Sequence, residues 1–166
     1  MLQVGTQVVY GIHGVCTIVD VEIRRVDRKN VEYFVLEPIS QPGTRCYVPT
    51  QNQAATSKLR PILAREELEA LFQTGAVQTD VWINDENKRK LKYRELISNC
   101  DRVALIGMIR MLLKHKQEQL DAGRKFHLCD ENFLRDAQKL LSSECSFVLG
   151  IPKDEVSQYI MSRIGK

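Results

Sequence analysis

Two glycines three positions apart, Gly11 and Gly14, interrupt a run that otherwise reads as strand from Val4 to Val19. Val8-Val9-Tyr10 is a short apolar strand ahead of the break. Beyond it a second strand alternates, with Val15, Thr17, Val19, Val21 and Ile23 on one face and Cys16, Ile18, Asp20, Glu22 and Arg24 on the other. Glycine reaches backbone angles that a side chain resists, so the pair lets the chain reverse within four residues. The pattern predicts the opening of a small, strongly bent antiparallel sheet.

The next segments fit that opening. Val26 to Asn30 is polar enough for a hairpin turn, and Val31 to Glu37 forms a third strand, apolar on both faces and therefore central. Pro42-Gly43 marks a second turn, and Arg45 to Val48 makes a fourth strand ended by Pro49. Gln51 to Ser57 shows no pattern, and Lys58-Leu59-Arg60 adds a final strand. So many short strands in so few residues predict an SH3- or Tudor-like barrel, or a hairpin sheet packed directly on helices.

From Pro61 the period changes. A helix is expected from about Ala64 to Gln73, closed by Gly75, with a loop over residues 75–81. Trp82, the only tryptophan, precedes a helix capped by Asn84 or Asp85, in which Lys88-Arg89-Lys90-Leu91-Lys92-Tyr93-Arg94 places five cations in seven residues. Leu91, Tyr93, Leu96 and Ile97 are its expected inner face. Asp101 starts a helix apolar nearly all round from Val103 to Leu113, central to a bundle. Asp130 is the expected cap of a long helix with Phe133, Ala137, Leu140, Leu141, Cys145 and Val148 at helical spacing; Pro152 opens a last one. The predicted class is α+β: residues 1–60 a small antiparallel β-barrel, residues 61–166 an α-helical bundle.

The formal net charge of +3 is unevenly spread. Residues 81–126 carry eleven Lys and Arg against six Asp and Glu, so a polyanionic partner is expected there. No apolar run reaches the roughly 18 residues that cross a bilayer, and no signal-peptide pattern opens the chain, which predicts a cytoplasmic protein without membrane contact. Five scattered cysteines without a Cys-x-x-Cys pair argue against a disulfide framework or a thiolate zinc site, and His127-Leu128-Cys129 lacks further ligands nearby. Neither metal nor cofactor is expected.

In order along the chain, several landmarks resemble the CarD/CdnL family of bacterial RNA polymerase-binding transcription regulators. Gly5-Thr6-Gln7-Val8-Val9-Tyr10-Gly11-Ile12-His13-Gly14-Val15-Cys16 is similar to the family's Gly-x-x-Val-Val-Tyr-Pro-x-His-Gly-Val-Gly. Glu32 to Leu36, Tyr47-Val48-Pro49, Trp82 with its basic helix, and Leu140 to Glu144 follow. The resemblance implies a Tudor-like module that binds the polymerase β subunit, with Arg24 and Tyr47 at the contacting positions. It also implies a helical domain that touches promoter DNA at the upstream fork of the bubble. There Trp82 would be a minor-groove wedge, and Lys88, Arg89, Lys92 and Arg94 phosphate contacts. Such a protein would stabilise the open complex without reading sequence, and would not be an enzyme.

Two other readings stay open on the residues alone. One is a protein-interaction adaptor with no DNA contact. The other is a thiol enzyme using Cys16, Cys46 or Cys129 with His13 as base, although a strand sends neighbouring residues to opposite faces and no orienting acid is apparent.

Overall fold

The computed structural model describes residues 2–74 and 81–164, which fall into two compact units, Met1–Ile62 and Leu63–Lys166. In the first unit β1 (Gln7–Tyr10) leads into a single 3-10 turn, Gly11–His13, and returns as β2 (Gly14–Val26). Gly11 (φ 46°) and Gly14 (φ 71°) both have left-handed backbone, so the reversal depends on residues without a Cβ. Val8 pairs with Cys16 and Tyr10 with Gly14 across the turn.

Strands β3 (Lys29–Pro38), β4 (Cys46–Pro49) and β5 (Leu59–Pro61) complete an antiparallel sheet in the order β4-β3-β2-β1-β5. The ladder does not close on itself. β4 and β5 are its two edges, so the SH3/Tudor-like layout takes the form of a bent open sheet, not a sealed barrel. Helix α1 (Gln53–Thr56), in the stretch without sequence pattern, packs Ala55 against the sheet core; the Asn52 side chain caps it by accepting from the Ala55 N–H at 3.1 Å. One turn is too short to show a period, which is why the sequence does not announce it.

Register explains which face is inside. Val8, Cys16, Ile18, Leu36, Val48 and Leu59 form the core of this unit. A bulge between Ile18 and Asp20 leaves Val19 unpaired and swaps the faces of β2 beyond it. Beyond it Val21, opposite Phe34, and then Ile23 lie on the core-side face; both stay exposed in the outer half of the hairpin.

The second unit holds α2 (Arg65–Thr74), α3 (Glu86–Asn99), α4 (Arg102–Asp121), α5 (Leu128–Leu149) and α6 (Lys153–Ile164). The turn expected at Gly75 lies outside the described residues. Helix α4 is central: Leu105, Ile106, Met108, Ile109 and Leu112 are buried among Leu68, Phe72, Leu141, Cys145 and Ile160 from its neighbours. Asp85 and Asp101 cap α3 and α4, accepting from Lys88 N at 3.0 Å and Ala104 N at 2.8 Å. Two expectations need correction. Leu91 is 67% exposed and not part of the inner face of α3. Asp130 does not cap α5, which begins at Leu128 after His127. No helix among the described residues is long and apolar enough to cross a membrane.

The hairpin between β2 and β3 turns on Asp27 (φ 49°) and Arg28 (φ 64°), the double positive-φ geometry of a type I′ turn that favours Asn-Gly. An arginine in the left-handed region costs roughly 1 kcal/mol. Arg28→Gly is therefore expected to raise the unfolding free energy by about 0.5–1 kcal/mol, read as a higher urea midpoint at unchanged slope.

Candidate polymerase- and nucleic-acid-contacting sites

On the first unit, Arg24 and Tyr47 come together although 23 positions separate them. Pairing of β2 with β3 and β3 with β4 sets Glu22, Arg24, Tyr33 and Tyr47 on one face. The Arg24 guanidinium lies 3.7 Å from the Tyr47 ring centroid, a cation–π contact, and Nη2 donates to Glu22 Oε2 at 3.0 Å. Arg45 reaches the other Glu22 oxygen at 3.4 Å, and Tyr33 meets Tyr47 edge-on. Two cations thus share one carboxylate on a surface beside β4, an edge strand of the sheet among the described residues. Exposed ion pairs of this kind contribute little to stability.

On the second unit the cations of α3 divide by helix geometry. At about 100° per residue, Arg89, Tyr93, Leu96 and Cys100 share one side, and that side faces in. Arg89 is 5% exposed. Its Nε and Nη2 donate to the two Asp130 carboxylate oxygens at 2.9 and 3.0 Å, and its Nη1 donates to the carbonyls of Ile83 and Asn84 at 2.9 and 3.4 Å. With four of its five N–H groups committed to a buried carboxylate and two carbonyls, and almost no exposed surface, the guanidinium cannot meet a phosphate, so Arg89 leaves the set of expected DNA contacts. Lys88 and Lys92 lie one turn apart and exposed, Lys92 only loosely held by Glu95 at 3.8 Å. Arg94 is exposed too, but about 120° around the helix from Lys88, so one backbone strand cannot meet both.

Trp82 is half-buried against the bundle core. Its ring stacks on His115 of α4 with centroids 3.6 Å apart and planes at 15°, and the Arg89 guanidinium sits 4.6 Å from the ring. Phe126 packs on His115 in turn, which sets the exposed Arg124 and Lys125 beside this group. Those two cations belong to the basic segment of the sequence but not to the predicted helix; only the Phe126–His115 contact connects them to Trp82. The indole is neither sealed in nor fully offered. His115 stacks on the ring, and the Arg89 guanidinium lies over it as well.

A second buried pair fixes the bundle. Arg102 Nε and Nη2 donate to Glu144 Oε2 and Oε1 at 2.8 and 2.7 Å, and Oε1 also accepts from Leu63 N at 3.2 Å. The thiol alternative loses its main candidate. Cys16 is fully buried, its thiol donates to Gly14 O at 3.6 Å, and burial pushes its pKa up to about 12. His13 stacks on Tyr10. Among the described residues no group of three or more His, Cys, Asp or Glu side chains is placed to hold a metal.

Burial holds His115 below the usual imidazole value of 6.5. The fold therefore favours the neutral ring, so its contribution to stability is complete above pH 6.5 and is lost as the pH falls through the lower folded value. Fluorescence of Trp82, the sole indole, is expected to titrate with a midpoint below 6.5, and His115→Asn to abolish that titration. For the Arg89–Asp130 pair, Asp130→Ala strands a buried guanidinium and is expected to cost about 3–5 kcal/mol in chemical denaturation, while Arg89→Met with Asp130→Leu recovers most of it.

Residues 2–63 match the family model of the CarD-like/TRCF RID domain. The chain is also 25% identical over 170 residues, covering 96% of this chain and 99% of the relative, to a Bacillus subtilis (strain 168) protein named "Putative transcription factor YdeB".

Proposed function

We propose that the chain, whose residues 2–63 match the family model of the CarD-like/TRCF RID domain, is a transcription regulator that binds the RNA polymerase β subunit through this unit. The observation that carries the reading is the family match on a sheet whose β4 edge is unpaired and flanked by Arg24, Arg45 and Tyr47. A strand from the partner would add to β4 through backbone hydrogen bonds, and the exposed Arg24–Tyr47 pair would supply side-chain selectivity. The name of the Bacillus subtilis relative agrees with the regulatory role.

The helical unit, in this reading, contacts promoter DNA at the upstream fork of the bubble. Lys88 and Lys92 neutralise phosphates along one flank of α3, with Arg124 and Lys125 as neighbours of Trp82. Arg94 serves a separate backbone segment. Trp82 meets the minor groove with the exposed part of its half-buried side chain, held rigid by His115 and Arg89. A tethered protein that prefers opened to closed duplex shifts the equilibrium toward the open complex by its differential affinity, and tethering makes weak DNA contacts sufficient.

The occupied face of Trp82 and the buried Arg89 favour a second reading, an adaptor without DNA contact. Three variants separate the two. Arg24→Glu is expected to weaken binding to a β-subunit lobe fragment roughly tenfold to a hundredfold and to leave affinity for forked DNA unchanged. Trp82→Ala should do the reverse, shortening open-complex lifetime with lobe binding intact. Lys88→Ala with Lys92→Ala should flatten the slope of log affinity against log salt by about 2. Forked-duplex binding that is absent, or insensitive to salt, identifies the adaptor. Failure of Met1–Ile62 to bind the lobe ends the polymerase assignment.

A further inference from the structure

Helices α2, α4 and α6 frame a cavity of about 560 Å³, within the range of small-ligand pockets, with Phe72, Gln73, Arg110, Tyr159, Ser162 and Arg163 on its walls. Two of those side chains carry buried polar atoms that find no hydrogen-bond partner among the described residues, the Arg110 Nε and the Tyr159 hydroxyl. Native folds rarely leave such groups unmatched, and a pair of them on one cavity points to a ligand that completes them.

The charge around them is one-sided. Arg110 Nη2 donates to the Phe72 carbonyl at 2.8 Å, which fixes the guanidinium near the end of α2 but supplies no counter-charge. Arg163 extends its guanidinium 5.3 Å from the Tyr159 ring centroid. Glu69 also lines the cavity, but Arg65 engages its carboxylate at 3.3 Å. Burial lowers the pKa of Arg110, as it does for a guanidinium without an anion close by. Phe72 meets Tyr159 edge-on at 6.0 Å and gives the cavity an aromatic wall.

We infer that this cavity takes a small molecule with a terminal oxyanion, a phosphate or carboxylate, on a planar apolar body. The oxyanion accepts from Arg110, Arg163 and the Tyr159 hydroxyl, and the body lies along Phe72. Guanidinium N–H groups and a phenol are donors that match oxyanion lone pairs, whereas a cationic ligand would face two positive charges. The site is independent of the DNA reading, because none of its residues belongs to α3 or contacts Trp82.

The test is a titration of the full chain with phenyl phosphate, benzoate and inorganic phosphate at constant ionic strength, followed by the Arg110 Nε–H nuclear magnetic resonance signal. A saturable shift of that signal is expected with phenyl phosphate or benzoate, with weaker binding of inorganic phosphate, which lacks the ring. The tighter of the first two identifies phosphate or carboxylate as the terminal group. Arg163→Ala and Tyr159→Phe, neither of which touches the Phe72 carbonyl contact, should each weaken binding about tenfold, equivalent to about 1.4 kcal/mol. Lys88→Ala with Lys92→Ala should leave it unchanged. No saturable shift with any of the three probes overturns the inference, as does equal affinity in Arg163→Ala and Tyr159→Phe, or loss of binding in the α3 lysine variant.

Discussion

The buried pair between Arg89 and Asp130 is the contact on which the arrangement of the helical unit depends. It joins α3 to α5 and, through two further donations, holds the backbone of Ile83 and Asn84. Removing either charge alone leaves the other stranded in a poorly solvated place, so the penalty for disruption far exceeds the net gain from forming the pair. Such an interaction contributes less to stability than to uniqueness of geometry. It fixes where α3 starts, and with that where Trp82 stands. The pair between Arg102 and Glu144 acts similarly for α4 and α5, and its carboxylate also receives the Leu63 N–H.

Trp82 is held on several sides. His115 covers a face, Arg89 approaches the ring, and the core packs beneath. An aromatic clamped in this way has little rotamer freedom left to lose on binding, which is the advantage of preorganisation. The same clamp limits what the ring can do. Full intercalation between base pairs needs both faces of the ring, and here His115 and Arg89 lie over it. The stacked imidazole, kept neutral by burial, also makes the platform sensitive to mildly acidic pH.

The sheet uses a different device. An open ladder leaves β4 as an edge strand, a feature that soluble proteins usually blunt with charge. Here Arg24 and Arg45 converge on Glu22 beside that edge, and Tyr33 and Tyr47 support them. The charges discourage indiscriminate pairing along that edge. The bulge at Val19 is part of the same design, because it rotates the outer half of β2 and sets Glu22 and Arg24 on the face of Tyr33 and Tyr47, away from the core-side Phe34 and Val48.

The elements themselves were legible in the sequence because their causes are local. The Gly11–Gly14 reversal, the caps at Asp85 and Asp101, and the apolar run of α4 each need only a few neighbouring residues. Burial was less legible wherever a distant partner decided it. A cation-rich helix reads as a solvated face, and only Asp130, 41 positions away, makes Arg89 an interior residue and leaves Leu91 outside. Arg24 and Tyr47 are named singly by the family resemblance, but their stacking follows from strand register. Local propensity and period therefore set the α+β order, while the tertiary structure chose which charges are spent inside and which remain for partners. The physical reason is that desolvation and pairing depend on what lies across the fold, and no short window of sequence contains that information.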